Sequence, residues 1–95
     1  MYDVHYAPRV TDEIREFARR NPGRTAELLA ALREFDHRLR VYPQFGQPLY
    51  DLAVEPAKLW IGVVPPLVLH YILDEEQRLV LVVRPPMPLP HTGIS

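Results

Sequence analysis

The clearest hydrophobic pattern lies in residues 67–73 and 79–84, two apolar segments rich in β-branched residues that flank a short charged stretch. Such a pair is typical of a β-hairpin. If Asp74 pairs with Arg78, opposite charges face each other across a three-residue loop, and this favours that register. The register predicts that the odd-numbered residues of both strands share one face and the even-numbered residues the other. Both faces are mostly apolar, which predicts central strands of a sheet.

The N-terminal half predicts one strand and two helices. Residues 2–7 alternate apolar and polar side chains, which indicates a strand with Tyr2, Val4 and Tyr6 on one face. Thr11 is predicted to cap a first helix that ends near residue 20. Asn21 is predicted to cap a second helix, since Pro22 suits the first helical position. This amphipathic helix is predicted over residues 22–41, because its apolar residues recur at steps of three and four.

The remaining segments predict further strands and a tail. A short strand is predicted at 49–54 and a stronger one at 58–64. Pro65-Pro66 should form a wide connection, because two prolines suit a tight two-residue turn poorly. Residues 85–95 are rich in proline and predict an extended arm or a frayed end.

These elements define an α+β fold in the order β-α-α-β-β-β. We expect a mainly antiparallel sheet of four to five strands, with the N-terminal helical hairpin on one of its faces. The chain has 95 residues, of which 47% are hydrophobic. Its length and composition predict a single domain, residues 1–95, with one continuous core.

Composition narrows the class of protein. There is no cysteine, which excludes disulfides and thiolate metal sites. No apolar run is long enough to cross a bilayer, and the first residues lack a signal-peptide pattern, so we expect a cytoplasmic protein without membrane contact. The formal net charge is −1, whereas a dedicated nucleic-acid binder usually has a basic surplus. On the helices, arginines alternate with acidic residues, as on a solvated surface.

Four sheet residues are candidates for chemistry or for contact with a target or partner: Lys58, His70, Tyr71 and Arg84. Metal-free RNA cleavage needs an acid or base and a cation, and His70 and Arg84 are predicted to lie diagonally on one sheet face. Each also has a structural interpretation. His70 could be a half-buried sheet residue, and Arg84 could lie at a solvated strand end. Tyr71 could be a core residue. Lys58 could be a charged edge-strand residue that disfavours aggregation.

No cofactor or metal is predicted. The four histidines have no ligand-like spacing, and the sequence contains neither a phosphate-binding glycine loop nor a nucleophile elbow.

Three segments in this order resemble the RelE/ParE superfamily, the toxins of bacterial type II toxin–antitoxin modules. Residues 42–49 (Tyr-Pro-Gln-Phe-Gly-Gln-Pro-Leu) are similar to the family's connection after the second helix. Residues 59–63 are similar to the next strand. Residues 67–76 are similar to its Tyr-Arg-hydrophobic-hydrophobic-Tyr-x-Val-Asp-Glu signature. The resemblance covers nearly the whole chain and implies the same β-α-α-β-β-β order.

The resemblance implies a toxin whose target is the ribosome, RNA or DNA gyrase, with a cognate antitoxin as partner and the possibility of homo-oligomers. In the ribonuclease members of the family, basic residues stand at positions that align here with Val68, with Ile61 and Val63, and with Met87 and Pro88. None of these residues supplies a positive charge or a proton. The alternative is therefore a catalytically inert protein-binding module with the RelE/ParE fold.

The predicted even-numbered hairpin face also indicates a partner. Val68, Ile72, Val80 and Val82 make that face apolar, and an apolar face that the helices leave open needs cover. The Pro-rich tail or another chain could provide it. In related toxins the antitoxin wraps the toxin, so we expect an antitoxin peptide along this face or against the helical hairpin.

Overall fold

Two helices cover one face of a mainly antiparallel sheet in the computed structural model, which describes residues 1–49 and 58–90. In the sheet order β1-β5-β4-β3-β2, β1 runs parallel to β5, and β6 pairs with β4 beside the end of β5. The elements are β1 (Asp3–Tyr6), α1 (Pro8–Arg20), α2 (Thr25–Val41), a 3₁₀ turn (Pro43–Phe45), β2 (Gln47–Pro48), β3 (Lys58–Val64), β4 (Leu67–Asp74), β5 (Leu79–Val82) and β6 (Met87–Pro88).

The predicted α+β class and the helical pair are confirmed. The described residues form a sheet of six strands rather than four to five. The two additional strands were missed because β2 and β6 contain only two residues each and give no periodic signal. The strand predicted at 49–54 lies mostly outside the described residues, although the Leu49 backbone N–H donates to Leu59 O.

Both helices begin elsewhere than predicted. Helix α1 begins at Pro8, where the missing proline N–H costs nothing, so Thr11 lies inside the helix and does not cap it. Helix α2 begins at Thr25 rather than near residue 22. The reason is that the Asn21 side chain closes α1 instead, through Nδ2 donating to Phe17 O at 2.9 Å. Gly23 then turns the chain with a φ of 86°.

The core lies between the helices and one face of the sheet. Helix α2 contributes its buried stripe, and β4 contributes every second residue. The predicted shared face of β1 is confirmed, since Val4 pairs with Val80 and Tyr6 with Val82 in the parallel ladder. The Tyr6 hydroxyl donates to Asp36 Oδ1 of α2 at 2.6 Å, which ties this edge strand to the helix layer.

The predicted register of the central hairpin is wrong by one residue. Asp74 pairs with Leu79 rather than Arg78, and the turn has four residues. Asp74 Oδ1 accepts the Gln77 backbone N–H at 3.1 Å, so the carboxylate serves the turn and not a cross-strand ion pair. Arg78 adopts a φ of 53°.

A slip of one residue exchanges the two faces of the second strand. Val80 and Val82 therefore lie in the core, and Leu79 and Leu81 lie on the opposite face.

The strand predicted at 58–64 is confirmed, but the wide connection after it is not. Val64 pairs with Leu67 across a two-residue turn whose Pro65-Pro66 bond is cis. A cis proline at the second turn position reverses the chain without the positive φ of a primed turn.

Part of the Pro-rich tail adds to the sheet. In β6, Met87 pairs with Val68 and Pro88 with Leu67. The Leu89 backbone N–H donates to Pro66 O at 2.8 Å. Proline is compatible with this edge position because the ladder there needs few donors. Residues 91–95 of the predicted arm lie outside the described residues.

Tyr71 joins the sheet to the segment that follows α2. Its side chain is 0% exposed, and its hydroxyl donates to Pro43 O at 2.6 Å. Its ring stacks against Trp60 and Phe45, with centroid distances of 6.5 and 6.1 Å. Burial raises the pKa of Tyr71, so it is a neutral donor at pH 7.

Tyr71→Phe should destabilise the fold, because it leaves the buried Pro43 carbonyl without a donor. We expect a loss of about 1–3 kcal/mol in the free energy of unfolding, measured by urea denaturation. The matched control is Tyr42→Phe, at a tyrosine that is 60% exposed. The control should change stability by less than about 0.5 kcal/mol. Equal losses in the two variants would contradict the assigned role of the hydroxyl.

Candidate partner-binding site

The sheet face that points away from the helices is mainly apolar. We call it the open face. Its apolar side chains are half-buried or exposed, and by register they are Leu59, Ile61, Val63, Val68, Ile72, Leu79, Leu81 and Met87. Its polar side chains are by register Asp3, His5, Gln47, His70 and Asp74. The face follows from strand alternation, because the neighbours of the buried residues in β3, β4 and β5 must point the other way. The predicted apolar partner face is thus present, with Leu79 and Leu81 in place of Val80 and Val82.

A row of three apolar side chains crosses the open face near the Pro65-Pro66 turn. Val63 pairs with Val68, and Val68 pairs with Met87, so the three are direct neighbours on β3, β4 and β6. Val63 is 44% exposed and Met87 48% exposed. We call these residues the apolar row. They are also positions that the family resemblance aligns with basic residues in the ribonuclease members, and here they have no charge.

His70 lies on the open face, opposite Ile61. Its Nδ1 is enclosed and has no hydrogen-bond partner among residues 1–49 and 58–90. Burial lowers the pKa of His70, and the charge of Arg84 lowers it further. The imidazole is therefore neutral at pH 7.

Arg84 is exposed and lies two residues beyond the end of β5. Residues 83–86 connect β5, which ends opposite Tyr71, to β6, which begins opposite Val68, so Arg84 lies near His70. The described part of the chain offers Arg84 no ion pair within 4 Å.

The other two candidates lie elsewhere. Tyr71 is fully buried on the helix side, so the prediction that it faces a target or partner is wrong, because its ring and hydroxyl are both used in the core. Lys58 is half-buried at the start of β3, opposite Leu73, and by register lies on the helix-covered side of the sheet. The four residues do not form one constellation.

Most helix arginines are held in ion pairs one turn away. One of these pairs joins Arg38 to Glu34 at 2.8 Å. The others are Arg9–Glu13, Arg15–Asp12, Arg19–Glu16, Arg24–Glu27 and Arg40–Asp36. Such exposed pairs contribute little to stability. They do neutralise the helix surface, which is a mixed-charge face and not a basic stripe for nucleic acid.

A second apolar surface is a cleft of about 210 Å³ between the helices and the sheet. Its lining comes from β1, α1, α2, β4 and the tail: Tyr6, Thr11, Ile14, Leu32, Phe35, Leu69 and Pro86. The cleft has room for one side chain rather than for a peptide segment, whereas the apolar row continues over three strands.

Within the described ranges, no three His, Cys, Asp or Glu side chains lie close enough together to hold a metal ion. Neither described helix has the length and hydropathy needed to cross a membrane.

Comparisons with known proteins identify the fold. The sequence matches no protein-family model, and it matches no curated protein significantly. The structure does match a chain in the crystal structure of the archaeal RelE–RelB complex from Pyrococcus horikoshii OT3, with a TM-score of 0.68. The match covers 96% of this chain and 98% of that chain, at 12% sequence identity. The chain thus has a RelE-like fold, as the sequence resemblance predicted.

The buried position of His70 predicts a pH-dependent stability. Its pKa is lowered in the folded state, whereas an unfolded histidine titrates near about 6.5. Below that pH the unfolded chain takes up a proton that the folded chain resists, so stability should fall as the pH decreases from about 7.5 to about 5.5. His70→Gln should weaken this dependence in urea unfolding curves.

The control is His5→Gln, at an exposed histidine of β1. It should leave the pH dependence of the wild-type protein nearly intact. If the urea unfolding curves of His70→Gln and of the wild-type protein shift equally with pH, the fold does not hold His70 in its neutral form.

Proposed function

We propose that this protein is the toxin component of a type II toxin–antitoxin module and that its open face binds the antitoxin. The RelE-like fold supports this, since it extends over 96% of the chain and the similar structure is a RelE–RelB complex. The proposed site of action is the cytoplasm, and the target is the translation machinery, RNA or DNA gyrase.

The apolar row is the observation on which the mode of action depends. An RNA-cleaving centre must stabilise charge on a phosphate and move protons. Val63, Val68 and Met87 can do neither, and their exposed methyl groups instead favour contact with a protein. We therefore propose that the toxin acts by binding its target and not as an mRNA interferase.

The second candidate function is a catalytically inert binding module that pairs with a neighbouring protein and poisons nothing. The same apolar row and the ion-paired helix arginines favour it, because neither needs a nucleic-acid target. The open face could instead join two copies of this chain. The molecular mass of the purified protein in solution distinguishes such a homo-oligomer from a monomer.

Induced expression in a bacterial host separates the two functions. For a toxin, growth should arrest, and co-expression of the product of the adjacent gene should restore it. If folded protein accumulates at every induction level without arrest, the toxin function is wrong and the inert module is favoured.

Two substitutions, one on the open face and one on α2, test the proposed binding face. Val63 on the open face and Leu29 on α2 are both 44% exposed, so a charge at either position leaves the core intact. Val63→Glu should reduce co-purification with the adjacent gene product at least about tenfold, by analogy with the loss of an interface hot spot. Leu29→Glu should leave it unchanged. The reverse pattern would move the interface to the helices.

A further inference from the structure

The chemistry of a partner for the open face follows from the groups that interrupt its apolar surface. A neutral histidine carries a proton on one ring nitrogen only. Nδ1 of His70 is enclosed without a partner in the described part of the chain, and Nε2 is not enclosed in this way. Because a buried N–H without an acceptor is costly, the proton belongs on Nε2. His70 therefore presents a hydrogen-bond donor at the open face.

Arg84 adds a second donor beside it. A guanidinium has five N–H groups and no acceptor, and no ion pair within the described ranges uses them. The nearest acidic residue along β4 is Asp74, four residues from His70 and thus about 13 Å away along the strand. Its carboxylate accepts the Gln77 backbone N–H. By register, Asp3 of β1 is the other acidic residue of this face, and it pairs with Leu79 at the same end as Asp74. Among the described strands, the end of the open face that carries the apolar row thus has donors and no carboxylate.

Resting on the proposed antitoxin-binding function, we propose that the open face recognises a segment of a second protein in which one Asp or Glu is flanked by apolar side chains. The apolar residues cover Val63, Val68 and Met87, and the carboxylate accepts hydrogen bonds from His70 Nε2 and the Arg84 guanidinium. Charge-assisted hydrogen bonds of this kind are strong and directional, which gives the site specificity as well as affinity.

Two other occupants fit less well. In an isologous dimer the same patch forms both sides of the interface, so a dimer whose two-fold axis passes near His70 and Arg84 would bring donors against donors. A nucleic acid would satisfy Arg84 through a phosphate, but it would leave the apolar row against a charged backbone.

The test is a selection from a random peptide library displayed on phage, with the full chain as bait and Val63→Glu for counter-selection. Enriched peptides should carry an acidic residue between apolar residues. Synthetic versions should bind at least about fivefold more weakly when that residue is changed from Glu to Gln, because a charge-assisted pair is lost. Arg84→Gln should abolish this Glu-to-Gln difference. The matched control Arg33→Gln, on the exposed surface of α2, should retain it.

Other results overturn the proposal. The proposal is wrong if the enriched peptides lack an acidic residue. It is also wrong if the Glu and Gln peptides bind equally well. The same holds for a failure to enrich any peptide that distinguishes the wild-type chain from Val63→Glu. Sedimentation showing that the chain dimerises and that Val63→Glu makes it monomeric would assign the face to a second copy instead.

Failure here is distinguishable from failure of the proposed function. Growth arrest and rescue without a carboxylate preference would reject only the recognition chemistry. A carboxylate preference without arrest would reject the toxin and keep the recognition site.

Discussion

The structure depends on the burial of one face of β4. Every second residue of this strand, from Leu67 to Leu73, lies in the core under the helices, at no more than 2% exposure. Each buried side chain of this kind contributes about 1.5–3 kcal/mol by leaving water, so the strand cannot rotate or slip without losing much of the core. The residues between these buried side chains must therefore point to the opposite face of the strand. That face is also apolar, and no helix of the described chain covers it.

This constraint relates fold to function. In this chain the sheet presents one face on the side opposite the helices, and function is decided by the residues of such a site rather than by the fold. Here neighbouring strands place Val63, Val68 and Met87 side by side. The surface they form is apolar, and His70 lies two residues from Val68 on the same face of β4. The fold and the binding surface are thus consequences of the same alternation along three strands.

Much of the fold could be predicted from the sequence, because strong periodicity marks α2, β3 and β4. The hairpin register could not, because an Asp74–Arg78 pair was the visible charge signal. The carboxylate instead stabilises the turn backbone, and the burial of Val80 and Val82 decides the face. The start of α2 was predicted wrongly for a related reason. The Asn21 side chain caps the end of α1 and does not cap the start of α2.

The candidate site was predicted only in part. His70 and its neighbour Arg84 were found because polar residues stand out in an apolar strand. Tyr71 was included for its chemistry, but its hydroxyl is used by Pro43. Met87 could be linked to Val68 only through the family resemblance, because a two-residue strand between prolines has no pattern of its own.

The most direct measurement is the attenuation of methyl NMR signals by a soluble paramagnetic agent, which reports how close each methyl group lies to solvent. We expect strong attenuation for Val63 and Met87 in the free chain and little for Val80 and Val82. Adding the product of the adjacent gene should protect the first pair and leave the second unchanged. Strong attenuation of Val80 and Val82 in the free chain would contradict the register, the covered face and the binding surface together.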